Sequence, residues 1–272
     1  MQTRFDLDTA LVPSGDGRYT GRMDAGWWIE RGPNGGYVAA TILRGLQAAV
    51  GDPTRTPRSF TVHYLAPPHE GPIELVTNVE RAGRQLSFVT GRLVQGDRLL
   101  ALAQGAFAGP LAGPEFCDLQ RPDVPPPEAL TSASQPTLGP PVPMRERYEM
   151  RWCIGGPPFS GAPLAVAGGW IRLVEPRPSD PLLLAALCDA WMPPLFSRLH
   201  ERVGVPTIDL TVHFRAPVEA AAESVVDDGW HLVVFRSQVA AAGFVEEDGE
   251  VWSRSGRLLA HSRQLAIVLP IS

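Results

Sequence analysis

The 272-residue chain contains no lysine; all 24 of its basic residues are arginine. Without lysine there is no Schiff base, and so no pyridoxal phosphate carried as an internal aldimine. A lysine-bearing phosphate loop is excluded on the same ground. Cysteine is scarce: Cys117, Cys153 and Cys188 are far apart, odd in number and form no CxxC pair. That pattern predicts neither a disulfide framework nor a zinc knuckle, and it fits a reducing cytoplasm. No HExxH spacing occurs among the six histidines, so no metal is expected. No GxSxG elbow is present, which argues against a hydrolase of the serine-nucleophile type. No apolar run approaches the roughly 20 residues that span a bilayer. The opening "MQTRFDLDTALVPSG" lacks an apolar core of signal-peptide length, so a cytoplasmic location and no membrane span are expected. The net charge of −5 leaves no electrostatic footprint for nucleic acid.

What the chain does contain is a drifted internal repeat. "FTVHYLAPP" at 60–68 returns as "LTVHFRAPV" at 210–218. "RLLA" at 98–101 returns at 257–260, and Trp28-Ile29 has a counterpart in Trp170-Ile171. The order is the same in both halves, and the larger spacing in the second fits a loop-sized insertion. Each half therefore reads as an aromatic strand, one long helix and four strands linked by turns. The first helix is expected at about 34–49, with strands near 58–66, 72–81, 85–95 and 98–108. The second helix is expected at about 180–199, with strands near 207–216, 230–238, 240–253 and 256–269. Between the halves, "RPDVPPPEALTSASQPTLGPPVP" is rich in proline and small polar residues and reads as an extended linker. One helix followed by consecutive hairpin strands predicts an α+β fold with an antiparallel sheet wrapped around a helix, made twice.

Several segments resemble the acyl-CoA thioesterase II family and its actinobacterial relatives, which have a double hotdog fold. "GPNGGY" at 32–37 is similar to that family's helix opening. "LAALCDAWMPP" at 184–194, "PTIDLTVHF" at 206–214 and "GRLLAHSRQ" at 256–264 look like its three active-site segments. The resemblance implies two antiparallel sheets, each around one long helix. Residues 1–110 would be the N-terminal hotdog repeat, 111–145 a proline-rich linker, and 146–272 the C-terminal repeat carrying the active site. It further implies hydrolysis of acyl-CoA or a related acyl thioester, with no cofactor and no covalent intermediate. The water would be held by Asp189, Thr207 and Gln264. At the matching places the first repeat has Pro57 and Gly105, so one working site per chain is expected. Gln104 is one residue out of register and would point to the opposite face.

The same residues can be weighed without the family. Asp189 falls on an apolar helix face with Leu182, Ala186 and Pro193. A carboxylate there needs hydrogen bonds or a task, and burial would raise its pKa toward that of a general base. The plain alternative is a rim residue bonded to a nearby loop. Gln264 shares a strand face with the small residues Ala260, Ser262 and Ala266, as a catalytic or a satisfied structural amide would. In an unbroken strand Thr207 lies with Asp209, Thr211 and His213 on the solvent face; to reach the site it needs an irregular start or a bulge. Asn34 is positioned to cap the first helix, with Gly35 and Gly36 in its first turn. Their unpaired N–H groups could serve as oxyanion donors, or the glycines could simply permit tight helix packing. Serving the same site as Asp189 would require the two helices to lie side by side. Two other functions stay open on the same scaffold: a non-catalytic acyl-CoA or lipid-binding protein, and a hydratase or dehydratase. An exposed sheet edge predicts a homodimer or higher homo-oligomer.

Overall fold

The computed structural model describes residues 2–130, 142–215 and 228–271. Its first half runs α1 (Arg4–Asp8), β1 (Leu11–Gly15), β2 (Arg18–Met23), α2 (Gly35–Val50), β3 (Thr56–Tyr64), β4 (Gly71–Ala82), β5 (Leu86–Gln95) and β6 (Arg98–Ala108). The second half runs β7 (Tyr148–Gly155), β8 (Ala165–Leu173), α3 (Pro181–Leu187), α4 (Leu195–Arg198), β9 (Val203–Gly204) and β10 (Thr207–Phe214). It closes with β11 (His231–Ser237), β12 (Ala240–Ala241), β13 (Phe244–Ser253), β14 (Leu258–Ile267) and β15 (Leu269–Pro270). None of the described helices is long and apolar enough to cross a membrane.

Strand order exposes the duplication. The main sheet reads β1-β2-β4-β5-β6-β3-β10-β14-β13-β11-β8-β7, antiparallel throughout, with β12 added against β13. Read outward from the centre, β3-β6-β5-β4-β2-β1 mirrors β10-β14-β13-β11-β8-β7. The halves meet where β3 pairs with β10, and there Thr61 faces Thr211, its counterpart in the repeat. Their hydroxyls are 3.0 Å apart, on the pseudo-twofold axis. The two sheets expected side by side, one per repeat, are joined edge to edge by backbone pairing of β3 with β10.

Two other expectations change. Trp170 lies within β8, whereas Trp28 lies beyond the end of β2 in a short bridge to Pro33. The Trp-Ile match therefore does not mark equivalent places, and β1, β2 and β7 complete a six-stranded unit in each half. The second helix is also not one long element. It ends at Leu187, and a separate short turn of helix follows at Leu195–Arg198. Pro193 and Pro194 have no N–H to offer the carbonyls of Asp189 and Ala190, so the helical ladder cannot continue there. The linker residues 131–141 lie outside the described residues; 111–126 carry no regular secondary structure.

Helix α2 is shaped for burial. Asn34 caps it by accepting from the Tyr37 amide at 3.1 Å, and Gly51 ends it in the left-handed region at φ 67°. Tyr37, Ala39, Ala40, Ile42, Leu43 and Leu46 are fully enclosed. Gly36 lies against α3: a Cβ added there would sit 2.3 Å from the Ala186 carbonyl oxygen. The two helices therefore pack side by side, with the start of α2 against the end of α3.

Candidate active site

The break after α3 creates the site. The carbonyl of Asp189, denied a helical partner by Pro193, accepts from Asn34 Nδ2 at 2.7 Å. The Asp189 carboxylate turns the same way. Its Oδ2 accepts from the Gly36 amide at 2.9 Å and from Asn34 Nδ2 at 3.1 Å. An acidic group at the positive end of a helix is electrostatically favoured. The absent side chains of Gly35 and Gly36 allow the approach: a Cβ on Gly35 would lie 2.8 Å from that same Oδ2.

This geometry answers why glycines open α2, and it corrects one expected role. Asn34 and Gly36 do serve the same site as Asp189, although they come from the other repeat. They donate to the carboxylate, however, and so are not turned toward a substrate oxygen. The Gly35 backbone acts on the same carboxylate, helping to hold its pKa down, while its carbonyl accepts from the Tyr64 hydroxyl at 2.8 Å.

The other side of Asp189 faces β14. Ala260, Ser262, Gln264 and Ala266 are buried on one face of that strand, while Arg263 and Leu265 are exposed. The Gln264 side chain lies beside the Asp189 carboxylate and helps to hold its pKa down. Its Oε1 accepts from the Thr207 hydroxyl at 2.9 Å. Thr207 attains this position through a bulge: it pairs with Ala266, the next pair is Asp209 with Leu265, and Ile208 is the extra residue between. Thr207 thus joins the site through Gln264.

The first repeat offers no equivalent. Gln264 stands opposite Leu210 across the β10–β14 pair, and Gly105 stands opposite Phe60 across β3–β6. Gln104 is exposed on the other face.

Electrostatics follow from enclosure. Asp189 keeps some exposure as a residue, but its carboxylate is ringed by protein. Desolvation pushes its pKa from 3.8 up to about 6; the hydrogen bonds from Gly36, Gln264, Gly35 and Asn34 oppose that rise. The group is therefore largely ionised at neutral pH yet basic enough to accept a proton. Tyr64 and Tyr148 have hydroxyls pushed above their ordinary range, first by burial and then by the charge of Asp189. The hydroxyl of Tyr148 and the indole N–H of Trp191 are buried and have no hydrogen-bond partner among the described residues.

One member of this cluster was missed in the sequence. Glu247 of β13 is buried, and its Oε1 accepts from Gln264 Nε2 at 2.5 Å. "VEEDGE" reads as a solvated acidic turn, but strand alternation places Glu247 with the buried Val245 and Val251, and that parity is a usable signal.

Comparison with known proteins gives the same assignment from both ends of the chain. Residues 24–108 match the family model of the acyl-CoA thioesterase N-terminal domain, and residues 121–268 that of the C-terminal domain. A hot dog-fold protein of unknown function from Alicyclobacillus acidocaldarius superposes with a TM-score of 0.88 at 29% identity, over 100% of both chains. An acyl-CoA thioesterase II from Mycobacterium marinum shares the fold, with a TM-score of 0.76 at 22% identity over 98% of both chains. Acyl-CoA thioesterase 2 of Haemophilus influenzae is 26% identical over 259 residues, 86% of each chain. With both domain models matched in order along a duplicated hotdog sheet, the chain belongs to the acyl-CoA thioesterase family.

Proposed function

We propose that this protein hydrolyses acyl-CoA thioesters by direct attack of water, with Asp189 as general base and Gln264 and Thr207 as the groups that orient it. One observation carries the reading: a desolvated carboxylate, a buried amide and a hydroxyl from three separate segments gather in one place, with Thr207 donating to Gln264 and Gln264 beside Asp189. Family membership supports thioester hydrolysis in general terms, and the chain's own geometry supports these residues.

In the proposed reaction, water bound between Asp189 and Gln264 attacks the thioester carbon. Its proton passes to the Asp189 carboxylate. The tetrahedral intermediate collapses with cleavage of the C–S bond, the thiolate recovers a proton, and free acid and CoA thiol result. No acyl-enzyme is formed. Asn34 and Gly36 hold the base in place. With those donors committed, the Tyr148 hydroxyl and the Trp191 N–H, buried donors with no hydrogen-bond partner among the described residues, are candidates to meet a polar group of the ligand.

The test is thiol release from short-, medium- and long-chain acyl-CoAs by purified protein. Turnover with at least one chain length is expected, and loss of it in Asp189→Ala. Binding without release would favour the non-catalytic reading instead, and hydration of an enoyl-CoA would favour the hydratase.

A further inference from the structure

Thioester hydrolysis as set out above makes no use of Glu247, yet its carboxyl accepts directly from Gln264. The Gln264 amide has three claims on it. Its oxygen accepts from Thr207, one N–H goes to Glu247 at 2.5 Å, and the side chain lies beside Asp189. A glutamine amide has two faces that differ only by exchange of oxygen and nitrogen, so something must choose between them. Thr207 cannot, because a hydroxyl donates or accepts equally well.

We propose that Glu247 is a positioning residue: by accepting from Gln264 Nε2 it locks the amide with its oxygen on Thr207 and its N–H groups toward the two carboxyls. The inference rests on the hydrolytic reading of the site. Turned the other way, Gln264 would present its oxygen to the Glu247 oxygen that now accepts from it, and two acceptors would oppose each other in a desolvated space.

The surroundings of Glu247 define its state. Asp189 and Cys188 approach from the end of α3, and Glu246 and Asp248 flank it on β13. Ser237 lies beside it on β11, between pairs Arg236–Asp248 and Ala240–Val245. No cation pairs with it among the described residues. Burial first, and then these negative neighbours, hold Glu247 well above the usual carboxylate range, against the opposing hydrogen bond from Gln264.

The experiment compares wild type, Glu247→Gln and Glu247→Leu. Two readouts are taken: the side-chain amide resonances of Gln264 by NMR, and kcat and KM with pH. In Glu247→Leu the Gln264 amide resonances are expected to shift, and kcat to fall by about tenfold to a hundredfold with KM changed less than about threefold. Glu247→Gln, which keeps an acceptor oxygen, is expected to recover most of both. The proposal is overturned if Glu247→Leu leaves the resonances and kcat as in wild type. It is equally overturned if Glu247→Gln is as impaired as Glu247→Leu. Should Glu247→Leu fail to fold, Glu247→Met carries the same comparison. If wild type releases no thiol from any acyl-CoA, the hydrolytic reading fails, and the amide resonances alone still decide the role of Glu247.

Discussion

Replacing Asp189 by asparagine should stabilise the protein while it abolishes turnover. In the folded chain the carboxyl has a pKa of about 6 against an ordinary 3.8, because its surroundings resist the charge. The folded state therefore holds this proton more tightly than the unfolded state. The group does no harm below about pH 4, where both states are protonated, and its ionisation costs stability as pH rises through 6. The difference between 3.8 and about 6 corresponds to on the order of 3 kcal/mol at neutral pH. Asparagine removes that cost. It also turns an amino group toward Gln264, which takes back about 1 kcal/mol or more as a disturbed hydrogen bond. The net gain at pH 7 should be about 1–2 kcal/mol. Urea unfolding of wild type and variant in parallel between about pH 4 and 7 checks this. The difference in ΔG should grow with pH up to about 6 and then level off. Thiol release should drop by about a hundredfold to ten-thousandfold. A stability difference that does not vary with pH would refute the claim that Asp189 titrates in a desolvated setting. Retention of near-normal turnover would refute its role as base.

For the wild-type enzyme, kcat/KM should rise with pH along a limb centred near 6, since Asp189 must lose its proton to act; a pH–rate profile flat through that range would contradict this. Thr207→Val removes the hydroxyl that donates to Gln264 at 2.9 Å. It should lower kcat by about tenfold and stability by only about 1 kcal/mol, as read by thiol release and urea unfolding. Gly36→Ala drives a Cβ to 2.3 Å from the Ala186 carbonyl. It should cost about 1–3 kcal/mol in thermal unfolding and reduce turnover, because the contact it forces apart is the one that seats Asp189.

Strand parity made much of this site legible. The burial of Gln264 with Ser262 and the exposure of Gln104 both follow from alternation along β14 and β6. The need for an irregularity at Thr207 also follows, and the bulge at Ile208 supplies it. Alternation applied to β13 would have revealed Glu247, but three acidic residues beside a glycine read first as surface. The end of α3 was harder. Apolar periodicity carries on past Leu187, so the pattern extends the helix over Asp189. The helix stops earlier because the prolines at 193 and 194 withdraw N–H partners one turn before their own positions. Least legible was the partner of Gly36. Its amide meets Asp189 only because β3 and β10 pair about a pseudo-twofold axis, and no local pattern encodes that juxtaposition.

The central claim is that one carboxylate, amide and hydroxyl act together on a thioester. The most direct measurement is a crystal structure with a non-hydrolysable thioether analogue of an acyl-CoA. The account predicts the atom that replaces the reactive carbon within about 3–3.5 Å of a water bound by both Asp189 and Gln264. An analogue seated elsewhere, with Asp189 and Gln264 out of reach of its acyl–sulfur junction, would contradict it.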